Sequence, residues 1–595
     1  MEQHLGVLEQ GLWSAALAGA PYSAIIAQSS STLSALVLLV VFAFPASVLL
    51  ISVARLSQKG PLTTCGRLAP IAAGLGWALL WYALESLWSR SLLCAQSVWY
   101  LLASIRPRLG WALDCDAAHN TRHCQPLREA NVTPSDDFHH YPDNFWPAQE
   151  YNRYAVRGDD PTAANLSMSW QPNDWFLGAT SDGLALPSVR LFFAHLVFWA
   201  LAMSLLYRFG RQIGPLATRL CLLTPAALYL AVAVCVFLAT LVTPFDDDRT
   251  SQGRVDQLII ERYPLDYWTD MQGLYRALLA SVDASSVFSG LVMFSASRVP
   301  TTRPVFVAAT LIASVALPIV ALSSIRHLCA VQVQRVQPAY RFYTSTDEVF
   351  AFDLAPTCLA TLPFGSLWAV LFYAAHVLHV ALGPTLALVH FLVGSIAERA
   401  AFLENREIDG LVHATCAGGP FFAGFLLLVP SGSKLVAFVR YVSQSAAVQL
   451  GFYSLLMFVY GFDTLERDLL AVQVASAPIS TSATSLFALG PLSPTGPVIS
   501  IGLYLIVPAV LFTKLLSVHD LLLGGHDLAR HLDAAVQGLA GPTLARYALA
   551  TLIYATPFGN RLASFDIAPK GGRRIPQALA RMVNSSGGLC RPKDS

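Results

Sequence analysis

Residues 33–54 read Leu-Ser-Ala-Leu-Val-Leu-Leu-Val-Val-Phe-Ala-Phe-Pro-Ala-Ser-Val-Leu-Leu-Ile-Ser-Val-Ala, a run without a single charged side chain. As an α-helix it extends about 33 Å, enough to cross a hydrocarbon core of about 30 Å. Comparable apolar windows fall at 12–30, 68–105, 187–208, 216–243, 270–297, 303–325, 367–397, 408–429, 434–461, 494–517 and 542–558. The spacing therefore predicts about twelve transmembrane helices. The window at 68–105 is long enough for one tilted helix to project beyond the bilayer. Bulk composition agrees, since 55% of the 595 residues are hydrophobic and 13% charged. Soluble domains carry about 25% charged residues.

Lys+Arg 38 against Asp+Glu 37 gives a net charge of +1, so no basic surplus points to nucleic acid. No Lys or Arg precedes the first apolar run, so a retained helix is expected there rather than a secretory leader. Residues 108–186 break the apolar pattern. That segment is rich in Asp, Asn, His and Pro and holds Asn131-Val132-Thr133 and Asn165-Leu166-Ser167, two N-glycosylation acceptor triplets. An extracellular loop is expected there. The positive-inside rule gives the same orientation, because Arg55, Lys59, Arg67, Arg208, Arg211, Arg219, Arg298, Arg303, Arg399 and Arg406 then fall in cytoplasmic loops. The expected organisation is a transmembrane domain over 1–563 and a cytoplasmic tail over 564–595, with both termini inside the plasma membrane.

The loop reads Trp111-Ala-Leu-Asp-Cys115-Asp-Ala-Ala-His-Asn120-Thr121-Arg-His-Cys124. Further along come Pro147-Ala-Gln-Glu150-Tyr151, Leu359-Ala-Thr-Leu-Pro363-Phe-Gly-Ser-Leu367-Trp-Ala-Val-Leu-Phe372 and Phe458-Val-Tyr460-Gly461-Phe-Asp463, with Gly60-Pro61 and Gly210…Gly214 after the second and fourth spans. In order and spacing these segments resemble the neurotransmitter:sodium symporter (solute carrier 6-type) family over nearly the whole chain. The resemblance implies a Cys115–Cys124 disulfide and the leucine-transporter-type fold. In that fold two inverted repeats bring broken first and sixth helices together at a midplane site, where interrupted helices offer free backbone groups to ligands. It also implies a secondary transporter of a small amino acid, amine or osmolyte, working by alternating access.

The sixth span keeps the most of the family pattern. Asp283-Ala-Ser285-Ser286-Val-Phe288-Ser289-Gly290 places Phe288 at the aromatic position over the substrate and Ser289-Gly290 at the unwound break, where Ser-Ser-Val-Phe-Ser-Gly is poor helix-forming sequence. Asp283 falls on the serine that ligands chloride in chloride-dependent members, and Arg90 on the tyrosine that meets the substrate carboxylate. The ion positions depart from the family. Its sodium-ligating side chains correspond to Ala16, Ala313, Leu382 and Gly383, its gating arginine to Gly19, and of the expected side-chain ligands Ser285 alone retains an oxygen. Sodium needs several oxygen donors, so sodium coupling is expected to be weak or absent.

Glu85, Arg90, Arg276 and Asp283 are charges within spans, which normally face a partner or an aqueous cavity. Pairing of Arg90 with Asp283 or Glu85 is the structural expectation, and substrate or proton handling the functional one. His376, His379 and His390 in the eighth span are expected to serve interior hydrogen bonding rather than a metal. There is no His-Glu-x-x-His, no phosphate-cradling glycine loop and no credible nucleophile elbow, so no enzyme is expected. The expected partners are a small-molecule substrate and the lipid bilayer. No resident cofactor is expected, and sodium or chloride would enter only as co-transported ions. A transport-inactive relative acting as receptor, scaffold or partner subunit is the alternative.

Overall fold

The computed structural model describes residues 13–21, 32–106, 108–111, 114–121, 124–127, 146–158, 188–210, 217, 219–242, 281–298, 304–336, 350–398, 406–428, 445–461, 464, 467 and 497–512. Among the described residues there are helices and no strands. Five helices are long and apolar enough to cross a membrane: Thr32–Ala54, Val189–Phe209, Arg219–Val242, Pro304–Val333 and Gly365–Ala397. Shorter apolar helices span Phe350–Thr361, Val412–Leu427, Val448–Val459 and Ile499–Phe512. This architecture is compatible with a helical membrane protein. The windows at 542–558 and 564–595, together with Asn131, Asn165 and Arg276, lie outside the described residues.

Burial sorts the long helices by depth. Gly365–Ala397 is 89% buried over its most apolar window, whereas Arg219–Val242 is only 28% buried and turns Leu230, Phe237, Leu238 and Leu241 outward. A helix hydrophobic all round but packed on one side needs an apolar solvent on the other, which lipid supplies. The outer helices therefore wrap an inner set in which the eighth span is central.

The third window is not one continuous helix. Ala69 is extended, a 3-10 turn covers Pro70–Ala72, and two helices follow, Ala73–Ser89 and Ser91–Ser104. They meet at Arg90 (φ −91°, ψ −4°), where Ser89 Oγ donates to the Ser86 carbonyl. Serine hydroxyls that compete for backbone acceptors bend membrane helices in this way.

A compact cap covers the loop end of the bundle. Cys115 and Cys124 are disulfide-bonded. The fully buried Glu150 accepts from the Thr121 N–H (2.8 Å) and from the Thr121 hydroxyl, fixing the cysteine ring to the helix Pro147–Glu150. Gln149 Nε2 donates to Asp353 (2.7 Å), and Trp99 Nε1 to the Tyr151 hydroxyl (3.1 Å). Beneath lies an aromatic layer in which Tyr100 touches Trp111, Tyr151, Phe352 and Tyr373 at ring separations of 5.1–5.6 Å.

Candidate functional site

The stretch expected to be the sixth span is helical over 281–284 and again over Leu291–Ser297, and between them the backbone leaves helical geometry. Hydrogen bonding ends with Ser285 N–H to the Ser281 carbonyl and Ser286 N–H to that of Asp283, then resumes with Phe294 N–H to Gly290. Ser286 (φ 50°), Phe288 (φ 56°) and Gly290 (φ 86°) are all left-handed. For Ser and Phe such conformations cost of order 1–3 kcal/mol each and persist only where packing over-determines them. Phe288 has that packing. It is fully buried, with its ring against Phe452 (6.3 Å) and Tyr453 (5.6 Å) of the tenth span. Ser285 Oγ and Ser289 Oγ donate to the carbonyls of Val282 (2.8 Å) and Ser286 (2.5 Å), so side chains take up acceptors that a continuous helix would satisfy itself.

Two glycines bring other spans against the break. A Cβ on Gly19 would stand 1.8 Å from the Ala284 carbonyl oxygen, so the first helix touches the sixth backbone to backbone. On the far side, a Cβ on Gly290 would lie 3.0 Å from Pro61 Cγ, 3.3 Å from Leu79 and 3.4 Å from Phe391. The break is thus enclosed by the first, third, eighth and tenth spans. Gly19 occupies a position where no larger residue fits. Its contact was not read from the sequence, although the run Ala15-Ala16-Leu17-Ala18-Gly19-Ala20 carries the small-residue signal of close helix approach.

At the positions expected from the resemblance to correspond to sodium ligands, the structure holds hydrocarbon. Ala16 and Leu382 are buried, and Leu17 Cδ2 lies 3.0 Å from where a Gly383 Cβ would stand, with Cys221 Cβ at 3.2 Å. These side chains offer a cation no oxygen, and Leu17 covers the Gly383 surface. They do not fit sodium. Ala313 is exposed on the outer face of its helix and is not brought to the others.

Asp283 accepts from Gln449 Nε2 (3.3 Å) of the tenth span. Arg90 is 6% exposed and stands at the junction of the helices Ala73–Ser89 and Ser91–Ser104. Of the histidines, His379 Nδ1 meets the Cys221 carbonyl at 3.2 Å, His390 meets Arg298 Nη1 at 3.3 Å, and His376 lies buried between Phe372 and Phe352. Among the described residues no three His, Cys, Asp or Glu side chains converge on a metal position.

No protein-family model and no curated protein matches the sequence.

Proposed function

We propose that this chain is a multipass plasma-membrane carrier of the neurotransmitter:sodium symporter type, moving a small amino acid, amine or osmolyte by alternating access without strong sodium coupling. The observation that carries the reading is the interruption at Ser285–Gly290, enclosed by four other spans. Unwound backbone inside a membrane protein is tolerated where it is buried in protein or lines a cavity, and transporters use it to contact substrate. Phe288 would cover the substrate. Backbone groups between Ser285 and Gly290 would hold its polar end, with Arg90 and Asp283 as the nearby charges. Both termini would be cytoplasmic, and Asn131 and Asn165 would carry glycans on the outer loop.

Uptake of radiolabelled amino acids and amines into proteoliposomes, with choline replacing sodium, tests this reading. Saturable uptake that changes less than about twofold in choline supports it. Steep saturable sodium dependence refutes the coupling claim.

A second reading, a transport-inactive relative acting as receptor, scaffold or partner subunit, is favoured by one observation. The backbone contact of Gly19 with Ala284 leaves the first and sixth helices no gap at that level. Absence of uptake for every compound, with binding of any of them retained, would select it.

A further inference from the structure

Under the cap, at the outer end of the third span, lies a cavity of about 1100 Å³, separate from the break in the sixth helix. It is slightly larger than the clefts of about 300–1,000 Å³ that hold small organic ligands. Its walls carry two chemistries. Trp99, Tyr151 and Phe364 supply aromatic surface, and Arg106, Arg108 and Arg190 supply three guanidinium groups. Asp114, just before the disulfide ring, and Asp116, within it, also line the cavity, but among the described residues no ion pair joins them to the three arginines.

The floor feels the arginines. The Tyr151 hydroxyl is pushed up by burial, and Arg190 and Arg106 pull against that shift. The His119 ring is pushed down by burial and further by Arg190, which keeps it neutral at physiological pH. The charges acting on both groups are cationic, so the inner end of the cavity carries positive potential. Arg190 is also fixed in place, with its guanidinium 5.8 Å from the Trp99 ring centre and Nη1 donating to the Ala155 carbonyl.

Phe364 points the same way. It is 81% exposed yet held at φ 58°, a conformation costly for a bulky residue. The following residue leaves little freedom to relax, because a Cβ on Gly365 would stand 2.3 Å from the Leu359 carbonyl oxygen. Burial of the ring does not offset that strain in the free protein. A guest lying between Phe364 and Trp99 would.

We propose that this cavity binds a small organic anion with an aromatic body, its carboxylate or sulfonate held by Arg106 and Arg190 and its ring between Trp99 and Phe364. Guanidinium forks match planar oxyanions and stack on aromatic faces, as a lysine would not. The site stands whether or not the chain transports.

Binding of radiolabelled indole-3-acetate to the full chain in lipid nanodiscs, by scintillation proximity, tests it. Competition with indole-3-acetamide and tryptamine separates charge from ring. Saturable binding of the carboxylate is expected, with at least about tenfold weaker competition by the neutral amide and the cationic amine. Arg106→Ala and Phe364→Ala should each weaken it about tenfold, and Asp116→Asn should leave it unchanged or tighten it. Arg106 makes no hydrogen bond among the described residues, so its variant keeps the test valid if Arg190→Gln disturbs the cap. Equal competition by the amine, unchanged affinity in Arg106→Ala, or no saturable binding up to about 1 mM would each overturn the proposal.

Discussion

The sixth span at Ser285–Gly290 and the eighth at His376–Gly383 occupy the same buried interior, yet one abandons helical geometry and the other keeps it. Phe288 and Leu382 are almost equally hidden, at 0% and 1% exposure. The eighth span widens only to a π-turn over Val377–Leu382, closed by Gly383 N–H to the Leu378 carbonyl, with no residue at positive φ. The sixth places three residues at positive φ within five positions. Composition accounts for the difference. Val-Leu-His-Val-Ala-Leu offers the backbone few competing hydrogen-bond partners, whereas Ser-Ser-Val-Phe-Ser-Gly supplies three hydroxyls and a glycine. Irregular backbone therefore survives where polar side chains can satisfy it. The eighth span, which carries no side-chain hydroxyl or carboxylate over His376–Gly383, serves as packing.

The largest test of that contrast is Gly19→Leu. Its Cβ has no space beside the Ala284 carbonyl oxygen, and the obstacle is main chain rather than a movable side chain. The cost should exceed the about 1–3 kcal/mol usual for an overpacked core. Size-exclusion chromatography of the detergent-extracted variant should show loss of monodisperse protein. A well-folded Gly19→Leu would mean that the first helix does not touch the break.

Truncations sharpen the comparison further. Leu17→Ala empties fully buried packing against Gly383 and should cost about 2–5 kcal/mol, as apolar cores do. Phe288→Gly removes more volume, for which about 3–5 kcal/mol is ordinary. At φ 56°, however, glycine relieves strain, which returns about 1 kcal/mol or more. Thermal melts should show Phe288→Ala less stable than Phe288→Gly, the reverse of the order in a regular helix. The ordinary order would show that Phe288 carries no strain.

How much of this was legible in the sequence follows from the range of the forces involved. The Ser-Ser-Val-Phe-Ser-Gly break is local and reads directly, and of the twelve apolar windows five correspond, among the described residues, to helices long enough to cross a membrane. The pairing of Cys115 with Cys124 was implied by resemblance and is formed. The bend at Arg90 was not foreseen, because hydropathy averages across Ser89-Arg90-Ser91. Nor was the contact of Gly19 with Ala284, nor the reach of Glu398 to Gly60, since each joins residues hundreds of positions apart. Position 313, aligned by a motif match with a family ion ligand that it lacks, is turned outward by its helix.

The cap gives a smaller effect. Closing the short Cys115–Cys124 ring restricts the unfolded loop, by an entropy worth about 3 kcal/mol at most. Glu150 still holds Thr121 when the bond is absent, so part of the constraint remains. Cys115→Ser should lower the melting temperature modestly and increase proteolysis within 108–127, leaving the break in the sixth helix intact. Complete unfolding would mean that the cap supports the whole bundle.

The smallest effect lies at the far end of the eighth span. Glu398 accepts from the Gly60 N–H through both carboxylate oxygens, at 2.9 and 3.1 Å, and from the Thr63 hydroxyl at 3.4 Å. It thereby caps the helix Pro61–Leu68 from a distant part of the chain. Burial pushes its carboxyl above the ordinary value, opposed by the Gly60 hydrogen bond and by the charges of Arg298 and Lys59. A folded pKa above the unfolded one means that the group's stabilising contribution is complete below the ordinary carboxylate range. It is lost as pH rises through the raised value. The wild type should therefore lose a little stability between pH about 4.3 and neutrality through this residue. Glu398→Gln keeps an oxygen for Gly60 and removes the buried charge, so its melting curve should be flatter over that window. At neutral pH it should match the wild type to within about 2 °C. A clear loss at neutral pH would show that attraction to Arg298 and Lys59 outweighs the cost of burial, making the carboxylate itself the cap that fixes the eighth span.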